Sequence, residues 1–175
     1  IVHAALRTTH ASRVVMCPTY YSDDRMLDVV FGKRPAGYLD DLGRRLDPRV
    51  GVYWTGEEIC TREFSIGHLE RVGEALRRKP TLWDNYPVND GPRMSRFLHL
   101  RAFTGRPSVI GQYVAAHAIN PALQAHLCLI PAASLAASYR EGTGYCYMSA
   151  FRAAARTLAG AELADMLEDD LYALQ

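Results

Sequence analysis

A short apolar run, Val50-Gly51-Val52-Tyr53-Trp54, stops abruptly at the turn-forming pair Thr55-Gly56. Its length and its branched and aromatic side chains are typical of a buried strand. Two similar runs flank it in the sequence, Arg13 to Cys17 (RVVMC) before it and Pro80 to Trp83 after it. Three such strands, separated by helical patterns and short loops, predict an α/β fold built from parallel βαβ units.

Apolar residues at helical spacing separate the predicted strands. The segments Gly37 to Leu46 (GYLDDLGRRL) and Ile66 to Arg78 each predict a helix, and the apolar residues of the second lie on one face. The opening residues, Ile1 to Thr9, predict the end of another helix. Basic residues gather at Arg44-Arg45 and Arg77-Arg78-Lys79. Because cations favour the C-terminal ends of helices, we expect these groups to be solvated helix ends.

After about residue 107 the pattern changes, and we expect only helices. Pro121 to Tyr139 is rich in Ala and Leu, and a proline suits the first turn of a helix. Pro131 interrupts this run, which predicts a kink or two abutting helices. Two further helices are predicted at Ser149 to Leu158 and at Ala161 to Leu174.

Polar and aromatic side chains follow each predicted strand. The carboxyl ends of parallel strands lie at one edge of a sheet, and in (β/α) barrels that edge carries the chemistry. We therefore expect the three groups of side chains to face one site. The groups are Thr19-Tyr20-Tyr21, Thr55-Gly56-Glu57 and Asp84-Asn85-Tyr86.

The composition is that of an ordinary globular protein, with 49% hydrophobic and 22% charged residues, and this argues against disorder. Lys and Arg number 20 against 19 Asp and Glu, and the net charge of +1 gives no support to a nucleic-acid-binding surface. No apolar run approaches the roughly 20 residues that span a bilayer, so we predict no membrane segment. The chain begins at Ile1, and a signal peptide upstream is compatible with it.

The four cysteines lie far apart and form neither a CxxC motif nor a metal-like cluster with histidine. Three of them lie in apolar stretches, which favours buried free thiols over a disulfide framework or a zinc site. We therefore expect no metal and no cofactor, and a reducing, cytoplasmic compartment is favoured. The cysteines are Cys17, Cys60, Cys128 and Cys146.

The most informative polar segment runs from Trp83 to Gly91 (WDNYPVNDG). Amide and acid side chains at a strand end can bind sugar hydroxyls, and aromatic rings can cover the apolar face of a sugar. A turn in which Asn and Asp cap backbone groups is the alternative. The adjacent acids Asp23-Asp24 are compatible with a paired-carboxylate site, although their context favours a solvated turn or helix cap. For His117 a packing role is favoured over a ligand role.

The ordered set of segments resembles the hyaluronidase-like β-N-acetylglucosaminidases of glycoside hydrolase family 84, which include the O-GlcNAc hydrolases. The resemblance covers most of the chain, from about residue 13 to about residue 139, and the WDNYPVND string is its most specific part. Two later segments resemble those that follow the last barrel strand in the family. The matching segments are Cys17-Pro18-Thr19-Tyr20-Tyr21, Trp54-Thr55-Gly56, Trp83 to Asp90, Leu98 to Arg106 (LHLRAFTGR) and Ile119-Asn120-Pro121.

The resemblance implies a (β/α)8 TIM barrel followed by an α-helical bundle. Residues 1–106 are then the last three or so β/α units of the barrel, and residues 107–175 are the post-barrel helical region. The implied reaction is hydrolysis of a terminal β-linked N-acetylglucosamine with retention, in which the substrate's own acetamido oxygen attacks and forms an oxazoline. The family's adjacent catalytic Asp pair lies near the end of the fourth barrel strand. That region is upstream of Ile1, and Asp23-Asp24 falls in a different loop, so no catalytic residue is assigned to this chain.

The resemblance also implies a sugar pocket. Tyr21 matches a tyrosine near the acetamido group, and Asn85 matches the asparagine that holds this group. Asp90 matches the acid that binds the sugar hydroxyls at the far rim, and we expect it to be buried. The implied partner is a glycan or glycoprotein that contains N-acetylglucosamine. The other pocket residues are Trp83 at the floor, Asn120 from the post-barrel segment and Ile59 near the mouth.

Two other functions fit the same pocket: a hyaluronidase-type hexosaminidase that acts on a polymer, and a non-catalytic carbohydrate-binding relative. Departures from the family leave the preferred leaving group open, because Glu57 replaces a common proline and Arg101-Ala102 replaces Gly-Pro. Tyr20 stands where some relatives have glutamate. We predict that the isolated chain is inactive, because the catalytic pair is missing. We also predict that it is poorly stable, because an incomplete barrel exposes strand edges.

Overall fold

The structure is a computed structural model that describes residues 14–175, and its centre is one sheet of four parallel strands. The helix predicted at Ile1 to Thr9 lies outside the described residues. Helices pack beside the sheet, so the predicted α/β class with a parallel sheet is confirmed. The strands are β1 (Val14–Met16), β2 (Val50–Trp54), β3 (Thr81–Asp84) and β4 (Ala116–Ile119), and they lie side by side in this order.

The fourth strand contradicts the expectation that only helices follow residue 107. β4 consists of Ala-His-Ala-Ile, which lacks the run of branched and aromatic residues that marked the other strands. Its backbone nevertheless pairs with β3, in a register that places Leu82 opposite His117 and Asp84 opposite Ile119. In so short a segment the neighbouring strand, and not the intrinsic preference of the residues, determines the conformation.

Three helices connect the first three strands, and two of them were predicted. The predicted helices form close to the expected bounds, and the second begins at Ser65, whose hydroxyl accepts a hydrogen bond from the His68 N–H at 3.4 Å. Such a cap satisfies one of the free N–H groups of the first turn. The third helix has six residues, too few for a clear periodicity. The helices are α1 (Met26–Phe31), α2 (Tyr38–Arg45) and α3 (Ile66–Leu76).

The C-terminal region contains three longer helices, α4 (Leu129–Glu141), α5 (Tyr147–Ala159) and α6 (Ala161–Asp169). The two last helices agree with the prediction, but the helix predicted from Pro121 begins at Leu129. Pro131 therefore occupies the first turn, where a missing N–H costs no hydrogen bond and causes no kink. Single 3-10 turns lie at Met94–Arg96, Ser108–Gln112 and Gly142–Gly144.

Within residues 14–175 the apolar core consists of three clusters. In the first, Val52 and Trp54 of β2 pack against Val72 of α3. The second surrounds Leu82 of β3. The third joins α4, α5 and α6 around the fully buried Phe151. The sheet and the C-terminal helices thus each bury apolar side chains, and none of the described helices is long and apolar enough to cross a membrane.

The cysteines differ in burial from the prediction. All four are free thiols, but only Cys128 is buried. Each of the others lies in a loop or at the end of an element, where more of the residue is open to solvent than in a strand or helix interior. The exposed cysteines are Cys17, Cys60 and Cys146.

Arg78 departs from the expected solvated helix end, although its neighbours Arg77 and Lys79 are exposed as predicted. Its Nη1 donates to the Asp47 and Val50 carbonyls at 2.7 and 2.8 Å. The rest of the guanidinium donates to three further carbonyls, those of Gly43, Leu46 and Leu76, at 3.2, 3.0 and 3.0 Å. Arg78 therefore joins the end of α2, the start of β2 and the end of α3.

We expect Arg78→Met to destabilise the full-length protein by about 2–4 kcal/mol, because half-buried carbonyls lose their donor while the aliphatic stem is retained. The free energy of unfolding can be measured by urea denaturation. Arg77→Met is the matched control, since this exposed neighbour makes no comparable set of contacts among the described residues. Equal stability of the two variants would contradict a joining role for Arg78.

Candidate functional site

The carboxyl ends of the strands meet at one edge of the sheet, as expected. The Thr55 N–H, just after β2, donates to the Tyr21 carbonyl at 2.8 Å. The Asn120 N–H, just after β4, donates to the Asp84 carbonyl at 2.8 Å. The polar segments that follow the strands are therefore held together by their own backbone, and they form the candidate site.

A cluster of hydrogen bonds lies at the centre of this edge. The Asn85 Oδ1 accepts from the Trp83 indole N–H at 3.0 Å and from the Asn120 Nδ2 at 3.1 Å. The Asn85 Nδ2 donates to the Ile59 carbonyl at 2.7 Å. We call this group, Asn85 with Trp83, Asn120 and the Ile59 backbone, the Asn85 cluster. It brings together four of the six residues that were predicted from the sequence.

The Asn85 amide retains hydrogen-bonding capacity within the cluster. A primary amide has two N–H groups and an oxygen that accepts two hydrogen bonds. The contacts made within residues 14–175 occupy both acceptor positions of the Asn85 oxygen and one of its N–H groups. The second N–H is thus available to a ligand, and the first three bonds fix its direction.

The loop that contains Ile59 is held from two sides. Gly56 permits the turn after β2, with a φ of 106°, and a Cβ at this position would lie 2.3 Å from the Thr61 Oγ1. The Ile59 N–H donates to the Asp24 Oδ2 at 3.2 Å. The Asp24 Oδ1 also accepts from the Met26 N–H at 2.9 Å, as expected of a helix cap. Asp24 therefore joins the loop that contains Ile59 to the start of α1.

Tyr21 lies at the same edge, half-buried. Burial raises the pKa of the Tyr21 hydroxyl, and negative charge on Cys17, Cys60 and Asp24 raises it further. The hydroxyl therefore stays protonated at neutral pH and can donate a hydrogen bond. Burial also raises the pKa of Cys60, and the charge of Asp90 is among those that add to this shift.

Asp90 is exposed, so the expectation that it is buried is wrong. Its neighbour Asn89 is the buried residue, with 1% of its surface exposed. The Asn89 Nδ2 donates to the Phe97 carbonyl at 2.8 Å and to the Gln124 Oε1 at 2.7 Å, and its Oδ1 accepts from the Leu123 N–H at 2.9 Å. Asn89 therefore shapes the loop, and Asp90 projects from it towards solvent.

A buried ion pair lies directly behind the Asn85 cluster. Asp84, 1% exposed, accepts two hydrogen bonds of 2.8 Å from the Arg106 guanidinium, one from Nε and one from Nη2. Arg106 also donates to the backbone carbonyls of Thr61 and Thr104, each at 2.8 Å, and to that of Arg62. This side chain thereby ties the loop after β2 to the carboxyl end of β3.

His117 of β4 completes the buried network. Its Nε2 lies 3.1 Å from the Asp84 Oδ2, and its Nδ1 lies 2.8 Å from the Tyr139 hydroxyl. Because a carboxylate only accepts, Nε2 carries the proton and Nδ1 accepts from tyrosine. Burial raises the pKa of Tyr139 to about 12, and the negative charge of Asp84 contributes. The predicted packing role of His117 is confirmed, with both ring nitrogens bonded.

Sequence reasoning missed the roles of two residues of this edge, Arg106 and Asn89. Arg106 lies 22 positions from its partner Asp84, so no local spacing joins them. Asn89 was inside the informative polar segment, but its burial depends on segments that come later in the chain. Among the described residues no group of three or more His, Cys, Asp and Glu side chains is arranged to hold a metal ion.

Comparisons with known proteins identify relatives of this chain. A family profile described as beta-N-acetylglucosaminidase matches residues 2–172. The protein O-GlcNAcases of Rattus norvegicus and Mus musculus are each 31% identical over 84 residues, which are 48% of this chain and 9% of each relative. A solved mutant of the Thermobaculum terrenum O-GlcNAc hydrolase is 30% identical, with a TM-score of 0.81 over 95% of this chain and 34% of that chain.

The chain thus spans under a tenth of the length of these curated relatives and about a third of the solved hydrolase. The family profile nevertheless extends over nearly the whole chain, through both the sheet and the C-terminal helices. The chain therefore belongs to the β-N-acetylglucosaminidases of glycoside hydrolase family 84, the family that includes the O-GlcNAc hydrolases.

Proposed function

We propose that the full-length protein removes terminal β-linked N-acetylglucosamine from a glycan or glycoprotein, and that this chain contributes the sugar-binding part of its active site. Family membership supports the class of reaction. The single observation that carries the assignment to this edge of the sheet is the Asn85 cluster, because its bonds hold one amide N–H in a fixed direction. A pre-aligned donor is what binding of an acetamido carbonyl requires.

The other pocket residues have complementary roles in this proposal. Tyr21 donates from its protonated hydroxyl to the acetamido group. Trp83 presents its half-buried ring, which packs edge to face against Tyr53 at 5.2 Å, to the apolar face of the sugar. Asp90 binds hydroxyls at the exposed rim. Asn120 contacts the sugar beside Asn85, and Ile59 borders the mouth of the pocket.

The proposed mechanism is substrate-assisted and retaining. The acetamido oxygen attacks the anomeric carbon while the glycosidic C–O bond breaks and the departing oxygen takes a proton from the acid, which leaves an oxazoline. Water, which gives a proton to the same group now acting as base, then attacks the anomeric carbon, and the acetamido group is restored. An intramolecular nucleophile is effective once it is oriented, since its effective molarity is high. Asn85 and Tyr21 supply this orientation. Two carboxylates are needed in addition, one to polarise the acetamido group and one to act as acid and then base.

Asp23 and Asp24 are not assigned as these two carboxylates. Asp23 pairs with Arg34 at 3.1 Å and with Arg71 at 3.5 Å, and Asp24 binds the N–H groups of Met26 and Ile59. Both acids therefore have structural partners. We place the catalytic pair in the part of the protein that precedes this chain, and we predict that the isolated chain does not hydrolyse substrate.

We further propose that the four parallel strands are consecutive strands of a (β/α)8 barrel and that the C-terminal helices begin a post-barrel bundle. The parallel register and the gathering of functional side chains at the carboxyl edge support this arrangement. The division at residues 1–106 and 107–175 stays a prediction, and β4 pairs with β3 across it. The outer edges of β1 and β4 then pair with strands from the rest of the barrel.

The proposal is tested with the full-length protein, by measuring release of 4-nitrophenol from 4-nitrophenyl β-N-acetylglucosaminide. We expect Asp90→Ala to lower kcat/KM by about 10- to 100-fold, because hydrogen bonds to a charged group are among the stronger ones. Since Asp90 is exposed, the melting temperature should remain that of the wild type.

Asp90→Asn is the conservative control and should retain part of the lost activity, because it keeps one acceptor oxygen. Full activity of Asp90→Ala would contradict the assignment of this residue. A wild-type protein that binds N-acetylglucosamine without cleaving the glycoside would instead belong to the non-catalytic carbohydrate-binding class.

A further inference from the structure

A cavity of about 720 Å³ borders the Asn85 cluster. Asn85 and Cys60 line it on the side of the cluster, and His99 and Arg101 line it from the segment that follows β3. Its volume falls within the range of about 300–1,000 Å³ that is usual for small-molecule sites. Asn85 belongs both to the wall of the cavity and to the Asn85 cluster. A ligand in the cavity therefore lies next to a sugar that the cluster binds.

The charged side chains of the cavity wall are mainly cationic. Arg62, Arg101 and Arg106 line it together with one carboxylate, Glu58, among the described residues. The charge of Arg106 is already neutralised by the buried Asp84. Arg62 and Arg101 therefore outnumber Glu58, and a guanidinium binds carboxylate or phosphate oxygens through paired hydrogen bonds. The wall thus favours a negatively charged ligand.

His99 gives an independent indication of a ligand site. It is 5% exposed, and its backbone has a φ of 52°, in the left-handed region that a non-glycine residue seldom occupies. Its Nδ1 is buried without a hydrogen-bond partner in the described part of the chain. The ring stacks on Tyr86 at 6.0 Å and on Phe97 at 6.3 Å, so its plane is fixed. Strain and an unpaired buried nitrogen together are typical of functional sites.

We propose that this cavity receives the group to which the N-acetylglucosamine is attached, and that it selects leaving groups with a negative charge within reach of Arg101. The inference rests on the proposed glycosidase function and adds the chemistry of the leaving group to it. An acidic leaving group gains a charge-assisted hydrogen bond from Arg101, and a neutral one of the same shape does not.

The test compares two substrates in the full-length protein, 4-nitrophenyl and 3-carboxy-4-nitrophenyl β-N-acetylglucosaminide. For each enzyme the ratio of kcat/KM on the carboxylated substrate to that on the plain substrate is measured. We expect Arg101→Gln to lower this ratio about tenfold, the usual effect of losing one charged hydrogen bond. The ratio cancels any effect of the variant that both substrates share.

Arg101→Gln is expected to fold, because the hydrogen bonds of this residue go through its backbone and its guanidinium otherwise lies over the ring of the exposed Tyr172, 6.0 Å from the centroid. The Arg101 carbonyl accepts from the Tyr86 hydroxyl at 2.7 Å, and the Arg101 N–H donates to the Gln175 Oε1 at 3.2 Å. Arg45→Gln, an exposed change of the same charge at the end of α2, is the matched control and should keep the wild-type ratio.

The outcomes distinguish an error in the assignment of the cavity from an error in the proposed glycosidase function. If the wild type hydrolyses the plain substrate and Arg101→Gln keeps the wild-type ratio, the assignment of the cavity is wrong and the glycosidase function stands. If the wild type hydrolyses neither substrate, the glycosidase function itself is wrong.

Discussion

Replacing Asn85 by alanine in the full-length protein is expected to lower kcat/KM by about 100- to 1000-fold, the usual effect of removing an aligned donor from a transition-state site. The loss has two sources. The acetamido group loses its donor, and three groups of the pocket lose the amide that holds them: the Trp83 indole, the Asn120 side chain and the Ile59 carbonyl. Initial rates on 4-nitrophenyl β-N-acetylglucosaminide measure the change.

Asn89→Ala is the control for this prediction. It removes an asparagine of the same loop whose hydrogen bonds all go to Phe97, Leu123 and Gln124, outside the Asn85 cluster. We expect it to lower the melting temperature at least as much as Asn85→Ala does, with a much smaller loss of kcat/KM. If activity follows the melting temperature in the same way for both variants, Asn85 acts through folding and not through the substrate.

Asp84→Ala is expected to destabilise the full-length protein by about 3–5 kcal/mol, because it leaves the buried Arg106 guanidinium without its counter-ion. The side chains of Asp84 and Arg106 are 1% and 6% exposed, so water cannot replace the lost partner. His117 loses a bonding partner in the same variant. Urea denaturation followed by tryptophan fluorescence measures the change in the free energy of unfolding.

Two comparisons identify the cause of that loss. The first uses Asp84→Leu, Arg106→Met and the double variant that combines them. The double variant should lose less stability than the two single variants lose in sum, because neither charge is left buried alone. Glu168→Gln breaks the exposed pair with Arg152 and should leave the melting temperature nearly unchanged, since solvent screens surface pairs. A simple sum in the double variant would mean that the pair is not energetically coupled.

The strands that were predicted correctly are those whose own sequence is distinctive. β2 has the expected bounds, Val50–Trp54, because apolar side chains fill a run that ends at a Thr-Gly turn. β4 escaped prediction because Ala116, His117 and Ala118 have no strong preference, and only the pairing with β3 makes them a strand. The predicted start of α4 was wrong for a related reason. Pro121 and Pro131 both suit the first turn of a helix, and only packing distinguishes them.

The sequence predicted which residues form the candidate site, but not which of them bond to one another. Composition marked the segment from Trp83 to Gly91 as informative, with a capping turn as the alternative, and the resemblance assigned the individual pocket residues. The hydrogen bond between Asn85 and Asn120 joins positions that are 35 residues apart, which no spacing rule describes. The sequence could not predict which of these side chains is buried. Asp90 is exposed and Asn89 is buried, although both are short polar residues in one loop.

The arrangement of the strands has a consequence for how the protein is made. Each strand lies beside the one that precedes it in the chain, from β1 to β4. As the polypeptide leaves the ribosome, every new strand therefore finds its partner already emerged, and no strand waits for a distant segment to be translated. Pairing with the preceding neighbour keeps the closed loops short, which lowers their entropic cost. From β1 to β3, the edge that each new strand leaves open is covered by the next strand to be synthesised.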